Sequence, residues 1–165
     1  MTAAEARTDR SAVLPSIVLL LLGFGLDRVH KFVQIEWLGW RGGEWVPVTP
    51  FFDYVLVWNT GISYGLFSNL PVWALGVVIA VALVALSIWW WRADSALIRA
   101  GLALAIGGAL SNALDRAVYG AVADFFHFHW GEWSFYIFNL ADVAISAGVG
   151  LLFLDLLGVG RRRRQ

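Results

Sequence analysis

The chain contains no cysteine, and only 15% of its 165 residues are charged. Without cysteine, disulfide scaffolds, thiolate metal sites and cysteine nucleophiles are excluded. An ordinary soluble domain carries about 25% charged residues, so the low charge content argues against a soluble protein. The formal net charge is zero, and a nucleic-acid-binding protein needs a basic face to displace counterions from phosphates. We therefore expect no nucleic-acid partner.

The chain is rich in long apolar runs, and 59% of its residues are hydrophobic. A helix needs about 20 apolar residues to cross the bilayer core, because each unpaired backbone group in lipid costs several kcal/mol. Four stretches meet this requirement, at about 12–33, 72–91, 97–114 and 138–157. The sequence predicts an all-α membrane protein, a bundle of four transmembrane helices in one domain covering residues 1–165.

The basic residues outside these spans predict the orientation of the chain. Lys and Arg in loops are retained on the cytoplasmic side of the membrane. They lie in the N-terminal tail, between the second and third spans, and in the C-terminal tail: Arg7, Arg10, Arg92, Arg99 and residues 161–164. Both termini are thus predicted to be cytoplasmic, with the arginine tail contacting anionic lipid headgroups. The loops at about 34–70 and 115–137 then face the outside.

The first outer loop is too long for a simple connection and has strand-like patterns. Aromatic and β-branched runs at 35–38 and 44–48 flank Gly42 and Gly43, a turn signal. We expect a small extracytoplasmic hairpin or β-sheet in this loop, lying on the membrane.

Ionisable side chains gather at the outer ends of the spans: Asp27, Lys31, Asp115, Arg116, Asp124 and Asp142. A charge in or beside a membrane helix is costly, so the group suggests a functional site, although structural ion pairs are the alternative for each member. Small or polar residues share the helical faces of Asp115 and Asp142: Gly107, Gly108, Ser111 and Asn112 on the third span, and Ser146 and Gly150 on the fourth. Such faces allow close helix packing, which would bring the acidic ends together.

Two carboxylates held close share a proton, so one can activate water while the other polarises a carbonyl, as in aspartic peptidases. The residues alone leave open which two of Asp27, Asp115, Asp124 and Asp142 form the pair. Asp124 lies among Val122, Phe125 and Phe126, where desolvation would raise its pKa. This favours Asp124 with Asp142.

Two further patterns are weaker. Residues 61–65 match G-x-S-x-G around Ser63, but that motif acts on the strand–turn–helix of a soluble α/β sheet. A serine hydrolase therefore remains a minor alternative. His127 and His129 could bind a metal, yet no third ligand has a clear spacing. We predict neither a metal nor a cofactor.

Five motifs in order resemble one family. Residues 27–31, DRVHK, are similar to D-Q-x-x-K, and residues 59–64, NTGISY, to N-x-G-A-A-F. Residues 107–116 are similar to G-G-A-x-G-N-x-x-D-R, 122–125 to V-V-D-F, and 138–142 to F-N-x-A-D. The chain resembles the type II, or lipoprotein, signal peptidases, which are four-span aspartic peptidases of bacterial membranes. Together the motifs extend over nearly the whole chain.

The resemblance implies cleavage of diacylglyceryl-modified prolipoproteins just before the lipidated cysteine, at the outer surface of the cytoplasmic (inner) membrane. It implies Asp124 and Asp142 as the catalytic dyad, no cofactor, membrane lipids as surroundings, and a β-cradle for the substrate; we expect a monomer. The remaining motif residues would support the dyad and the substrate: Asp27, Lys31, Asn59, Gly61, Asn112, Asp115, Arg116, Asn139 and Ala141.

The chain departs from the family pattern without losing an aspartate. Arg28 replaces Gln, Ser111 replaces Gly, and Ile62, Ser63 and Tyr64 replace Ala, Ala and Phe. The alternative to a peptidase is a small transporter or proton relay, which also uses carboxylates in its spans. Against it, the carboxylates cluster near one face of the membrane, whereas transporter sites usually lie near the midplane.

Overall fold

The computed structural model describes residues 12–61 and 72–159. Predictions that involve Arg7, Arg10, residues 62–64 and residues 161–164 lie outside this part of the chain. The helices are α1 (Val13–Phe32), α2 (Val72–Arg92), α3 (Ala96–Tyr119) and α4 (Leu140–Leu156), and a π-helical turn, Val33–Trp37, continues α1. The strands are β1 (Trp45–Thr49), β2 (Phe52–Asn59), β3 (Val122–Trp130) and β4 (Trp133–Ser134).

Within residues 12–61 and 72–159, three segments are long and apolar enough to cross a membrane: Val13–Trp37, Trp73–Arg92 and Ala96–Tyr119. Their outward faces are apolar, as at Val29, Trp73 and Val81, which suits contact with lipid. The helix α4 coincides with the fourth predicted span, but its 17 residues are fewer than the roughly 20 of a typical crossing. The helix α3 extends beyond the predicted end at 114, so that Asp115 and Arg116 lie inside it.

The helix α3 packs against all three other helices. Glycines allow the backbones to approach: Gly107 faces the carbonyl oxygen of Leu20 in α1, and Gly108 faces that of Ala141 in α4. Further along, Gly101 and Gly148 each face the carbonyl oxygen of the other. The predicted packing of the third and fourth spans through small residues is thus present in the structure.

The face that α4 uses differs from the predicted one. Ser146 and Gly150 are exposed, whereas Ala141, Ile145 and Gly148 meet α3. The prediction was wrong here because it assumed that Asp142 faces the interhelical contact. Asp142 is instead turned to the side, towards a cavity between the helices.

The strands form one antiparallel sheet in the order β1-β2-β3-β4. The prediction placed the sheet in the first outer loop alone, but β3 and β4 come from the second. An isolated two-stranded hairpin is marginally stable, so the β1–β2 hairpin gains support by pairing with β3. Beneath the sheet, Ile35, Leu56, Ala123 and Phe125 form a small buried core. This pairing fixes β3, and with it Asp124, against α3.

Candidate active site

Asp124 lies in β3 and is 2% exposed. Its two carboxylate oxygens accept hydrogen bonds from different elements. The side-chain amide of Asn139 donates to Oδ1 at 2.6 Å, and that of Asn59, at the end of β2, donates to Oδ2 at 3.0 Å. These two amides fix the carboxylate in one orientation.

Asp142 lies in the first turn of α4, where a capping box holds it. The Asn139 side chain accepts from the backbone N–H of Asp142 at 2.9 Å, and Oδ2 of Asp142 accepts from the backbone N–H of Asn139 at 3.1 Å. The amide of Asn112, in α3, donates to Oδ1 at 3.0 Å. The carboxylate is therefore positioned by the start of its own helix and by α3.

The structure brings Asp124 and Asp142 to one cavity of about 300 Å³. Asn139 donates to Asn112 Oδ1 at 3.1 Å, so two asparagines connect the two carboxylates. Asn59 and Arg116 add polar groups to the lining, and α2, α3 and α4 add apolar side chains that include Ile79, Leu83 and Ile145. A polar pair at one end of an apolar cavity can hold an extended or helical apolar segment beside two acid–base groups.

Burial raises the pKa of Asp124 to about 7. The negative charge of Asp142 acts in the same direction, while the hydrogen bonds from Asn59 and Asn139 and the charge of Lys31 oppose it. The Asp124 carboxyl consequently keeps its proton with substantial population near neutral pH, which a general acid requires.

Asp27 and Asp115 are not part of this pair, because the buried ammonium group of Lys31 forms ion pairs with both carboxylates. Lys31 Nζ lies 2.7 Å from Asp27 Oδ2 and 2.6 Å from Asp115 Oδ2, and Arg28 lies 2.5 Å from Asp115 Oδ1. We call these four residues, Asp27, Arg28, Lys31 and Asp115, the charge network. Its two positive and two negative side chains balance, which reduces the cost of burying them.

The charge network ties the elements of the site together. Asp27 Oδ1 accepts from the backbone N–H of Ala141 at 3.1 Å, and Asp115 Oδ2 accepts from that of Ala123 at 3.2 Å. These are the residues immediately before Asp142 and Asp124. Lys31 also donates to Asn112 Oδ1 at 3.1 Å. The network therefore positions both carboxylates through the backbone and through an asparagine.

Arg116 lines the cavity and contacts Gly61. Arg116 donates to the carbonyl oxygen of Gly61 at 2.9 Å, and the backbone N–H of Gly61 donates to Asn59 Oδ1 at 3.0 Å. Seven of the nine predicted supporting residues thus contact the aspartate pair, line the cavity or belong to the charge network. The other two, Gly61 and Ala141, contact these residues through their backbones. Sequence reasoning missed Arg28, treated only as a departure, and Ser111, whose hydroxyl donates to Asp27 Oδ2 at 2.6 Å. The signal for Arg28 was its charge inside the predicted first span, where a cation needs an acidic partner.

Comparison with known proteins identifies the family. The family model described as Signal peptidase (SPase) II matches residues 19–158. The chain belongs to the signal peptidase II family. It is a peptidase, and the transporter and proton-relay alternative is set aside; the aspartate pair is consistent with the aspartic type of this family.

Individual relatives agree with the family assignment. The chain is 54% identical over 155 residues to a lipoprotein signal peptidase of Nitrobacter hamburgensis, covering 88% of this chain and 91% of the relative. It is 46% identical over 155 residues to a lipoprotein signal peptidase of Methylorubrum extorquens, covering 89% and 88%. A solved bacterial membrane enzyme matches the fold with a TM-score of 0.79 at 24% identity, covering 93% of this chain and 94% of that one. The fold is therefore that of a membrane enzyme, and the family points to the bacterial inner membrane.

Proposed function

We propose that this signal peptidase II removes signal peptides from diacylglyceryl-modified prolipoproteins, cutting before the lipidated cysteine, with Asp124 and Asp142 as its catalytic dyad. The observation that carries the proposal is the meeting of these two carboxylates at one cavity with apolar walls. The raised pKa of Asp124 suits a group that donates a proton.

The reaction would divide acid and base work between the aspartates. Asp142, ionised, takes a proton from a water molecule, whose oxygen attacks the scissile carbonyl carbon. Asp124, protonated, donates to the carbonyl oxygen and stabilises the tetrahedral intermediate. When the intermediate collapses, Asp142 passes the water proton to the leaving nitrogen and Asp124 recovers its own. Asn112 and Asn139 keep the two carboxylates oriented throughout.

The lining of the cavity favours an apolar peptide as substrate. Ile79, Leu83 and Ile145 would pack against the apolar part of a signal peptide, while Asn59 and Arg116 would face its polar backbone. The four-stranded sheet carries exposed aromatic residues, among them Trp45 and Trp130, which suit an interface with lipid. We assign to it the cradle for the lipidated region of the substrate.

The membrane topology forms part of the same proposal. A single domain of residues 1–165 would span the inner membrane four times, with α4 as the fourth span, both termini cytoplasmic and the site at the outer side. Arg92 and Arg99 support this orientation, because such residues mark the cytoplasmic side. Arg92 ends α2, and Arg99 lies near the start of α3, at the opposite end from Asn112 and Arg116. The protein would act as a monomer among membrane lipids.

The test is cleavage of a purified diacylglyceryl-modified prolipoprotein by the protein in detergent or lipid, beside an unlipidated substrate. Asp124→Asn and Asp142→Asn are expected to lower the rate by at least about 100-fold, and the unlipidated precursor should not be cleaved. Asp94→Asn is a matched control, because Asp94 is exposed between α2 and α3. Full activity of either dyad variant would overturn the assignment.

The serine-hydrolase alternative is tested in the same assay. Ser63 lies outside the described residues, and under the proposal Ser63→Ala keeps most of the activity. A dead Ser63→Ala beside a merely impaired Asp142→Asn would favour the serine mechanism.

A further inference from the structure

Three potential metal ligands converge at the side of the sheet, away from the aspartate pair. Asp53 Oδ2, in β2, lies 3.0 Å from His127 Nδ1 and 3.2 Å from His129 Nε2, both in β3. All three atoms lie within 4.8 Å of one another. None of these residues lines the cavity of Asp124 and Asp142. We call them the Asp–His cluster.

The strand pairing explains why the cluster forms. Asp53 and His127 are direct partners across β2 and β3. His127 and His129 are two residues apart, and side chains at this spacing point to the same face of a strand. Their rings stack with centroids 5.2 Å apart. The sheet therefore positions one carboxylate and two imidazoles together, although Asp53 is distant from the histidines in sequence.

Each nitrogen of the His127 ring has a polar neighbour. Nδ1 lies 3.0 Å from Asp53 Oδ2, and Nε2 lies 2.7 Å from the Ser134 hydroxyl oxygen. A neutral imidazole can donate its Nδ1–H to the carboxylate while Nε2 accepts from Ser134, and a divalent cation would replace the Nδ1 proton. His129 Nε2 is buried without a hydrogen-bond partner among the described residues.

The geometry points to a site for a divalent transition-metal ion of the Zn²⁺ type, bound by Asp53, His127 and His129. Bonds of about 2.1 Å to imidazole nitrogen and carboxylate oxygen place neighbouring ligand atoms roughly 3.0 to 3.4 Å apart, and the two distances from Asp53 to the histidine nitrogens, 3.0 and 3.2 Å, fit this range. Imidazole with carboxylate suits Zn²⁺ and its neighbours. Ser134 acts as a positioning residue for His127, in the manner of the hydrogen-bonded partners that orient metal-binding histidines.

Solvent reaches the cluster at one of its three residues. Asp53 and His127 are 6% and 9% exposed, whereas the His129 side chain is 27% exposed, although its Nε2 atom is buried. Water would complete the coordination of the ion from this side. A bound ion would join β2 to β3 and stabilise the sheet, independently of the chemistry at Asp124 and Asp142.

The experiment uses the full chain in detergent, without an affinity tag, and Zn²⁺ alone as the ligand. The chain has three histidines and no cysteine, so few other groups compete. Equilibrium dialysis should give one Zn²⁺ per chain, and Co²⁺ should give visible absorption bands of a nitrogen–oxygen site. Asp53→Asn and His129→Gln should weaken binding at least about 10-fold, and Ser134→Ala should weaken it by about 10-fold.

Two control variants remove the same chemical groups elsewhere. His30→Gln removes the third imidazole, which is bonded to Tyr54, and Asp94→Asn removes an exposed carboxylate; both should bind Zn²⁺ like the parent. Thermal unfolding guards against misfolded variants: Zn²⁺ should raise the Tm of the parent and of both controls, but not that of His129→Gln. Absence of saturable Zn²⁺ binding by the folded parent, or equal binding by Asp53→Asn and His129→Gln, would overturn the proposal.

Discussion

Asn139 donates a hydrogen bond to Asp124 across 2.6 Å. The same side chain caps α4 by accepting from the backbone N–H of Asp142. One asparagine therefore serves both proposed catalytic groups, through its amide nitrogen for Asp124 and its oxygen for Asp142. The two functions can be separated by substitution.

Asn139→Ser keeps a capping oxygen but loses the amide donor, whereas Asn139→Ala loses both. We expect Asn139→Ser to lower the cleavage rate on the order of 100-fold through misplacement of Asp124. Asn139→Ala should lose in addition about 1 kcal/mol of stability from the missing cap. Cleavage rates per folded protein, with thermal unfolding in detergent, test this. Wild-type activity of Asn139→Ser would show that the amide does not position Asp124.

The pH dependence of cleavage should report the proton on Asp124. Burial raises the pKa of this carboxyl to about 7, and the proposed mechanism needs its protonated form. Deprotonation above this pH removes the general acid, so kcat/KM should fall about tenfold per pH unit above roughly pH 7.

A substitution at Asn59 tests the direction in which the pH profile of cleavage shifts. The Asn59 amide favours the charged carboxylate of Asp124, so Asn59→Ala should raise the pKa further and move the falling limb to higher pH. The control Asp94→Asn should leave the profile unchanged. A shift of the limb to lower pH in Asn59→Ala would contradict the assigned role of Asp124 as the acid.

The sequence was sufficient to predict the family and peptidase activity, which the comparisons confirm, because short local motifs carry them. It also placed Asp124 and Asp142 among the four aspartates that could form the catalytic pair. Asp115 and Arg116 misled the estimate of where α3 ends, since charges usually mark the end of a span. Inside the protein, Lys31 and Arg28 neutralise Asp115, and the helix continues to Tyr119.

The sequence patterns did not predict the contacts between distant parts of the chain. The pairing of β2 with β3 joins the two outer loops, and nothing in either loop alone indicates that partner. Asp53 was missed as a partner of His127 for the same reason. Small residues lie on more than one side of α4, and only the packing against α3 shows that Ala141 and Gly148 are the ones in contact.

The charge network should tolerate the loss of Arg28 better than the loss of Lys31. Lys31 contacts both Asp27 and Asp115 and is 2% exposed, whereas the Arg28 side chain is 19% exposed. Removing a buried partner leaves an uncompensated charge, which costs about 3 to 5 kcal/mol. Lys31→Met should approach this loss, and Arg28→Gln should lose clearly less because water reaches its site. Thermal unfolding of the two variants in one detergent checks the order of the stability losses. A larger loss for Arg28→Gln than for Lys31→Met would show that Arg28 contributes more to the stability of the charge network.

Close contact between α3 and α4 predicts a difference between two glycines. A Cβ at Gly108 would meet the carbonyl oxygen of Ala141 and lie 3.0 Å from Ile145 Cγ1, whereas one at Gly150 would have nothing within 4 Å. Ala141 directly precedes Asp142, so Gly108→Ala should push the start of α4 and with it the carboxylate. We expect a loss of about 1 to 3 kcal/mol in stability and a lower cleavage rate per folded protein. Gly150→Ala should leave both unchanged or slightly raise stability, because alanine favours the helix. Equal stability and activity of the two variants, measured by thermal unfolding and substrate cleavage, would mean that the helix contact at Gly108 does not position Asp142.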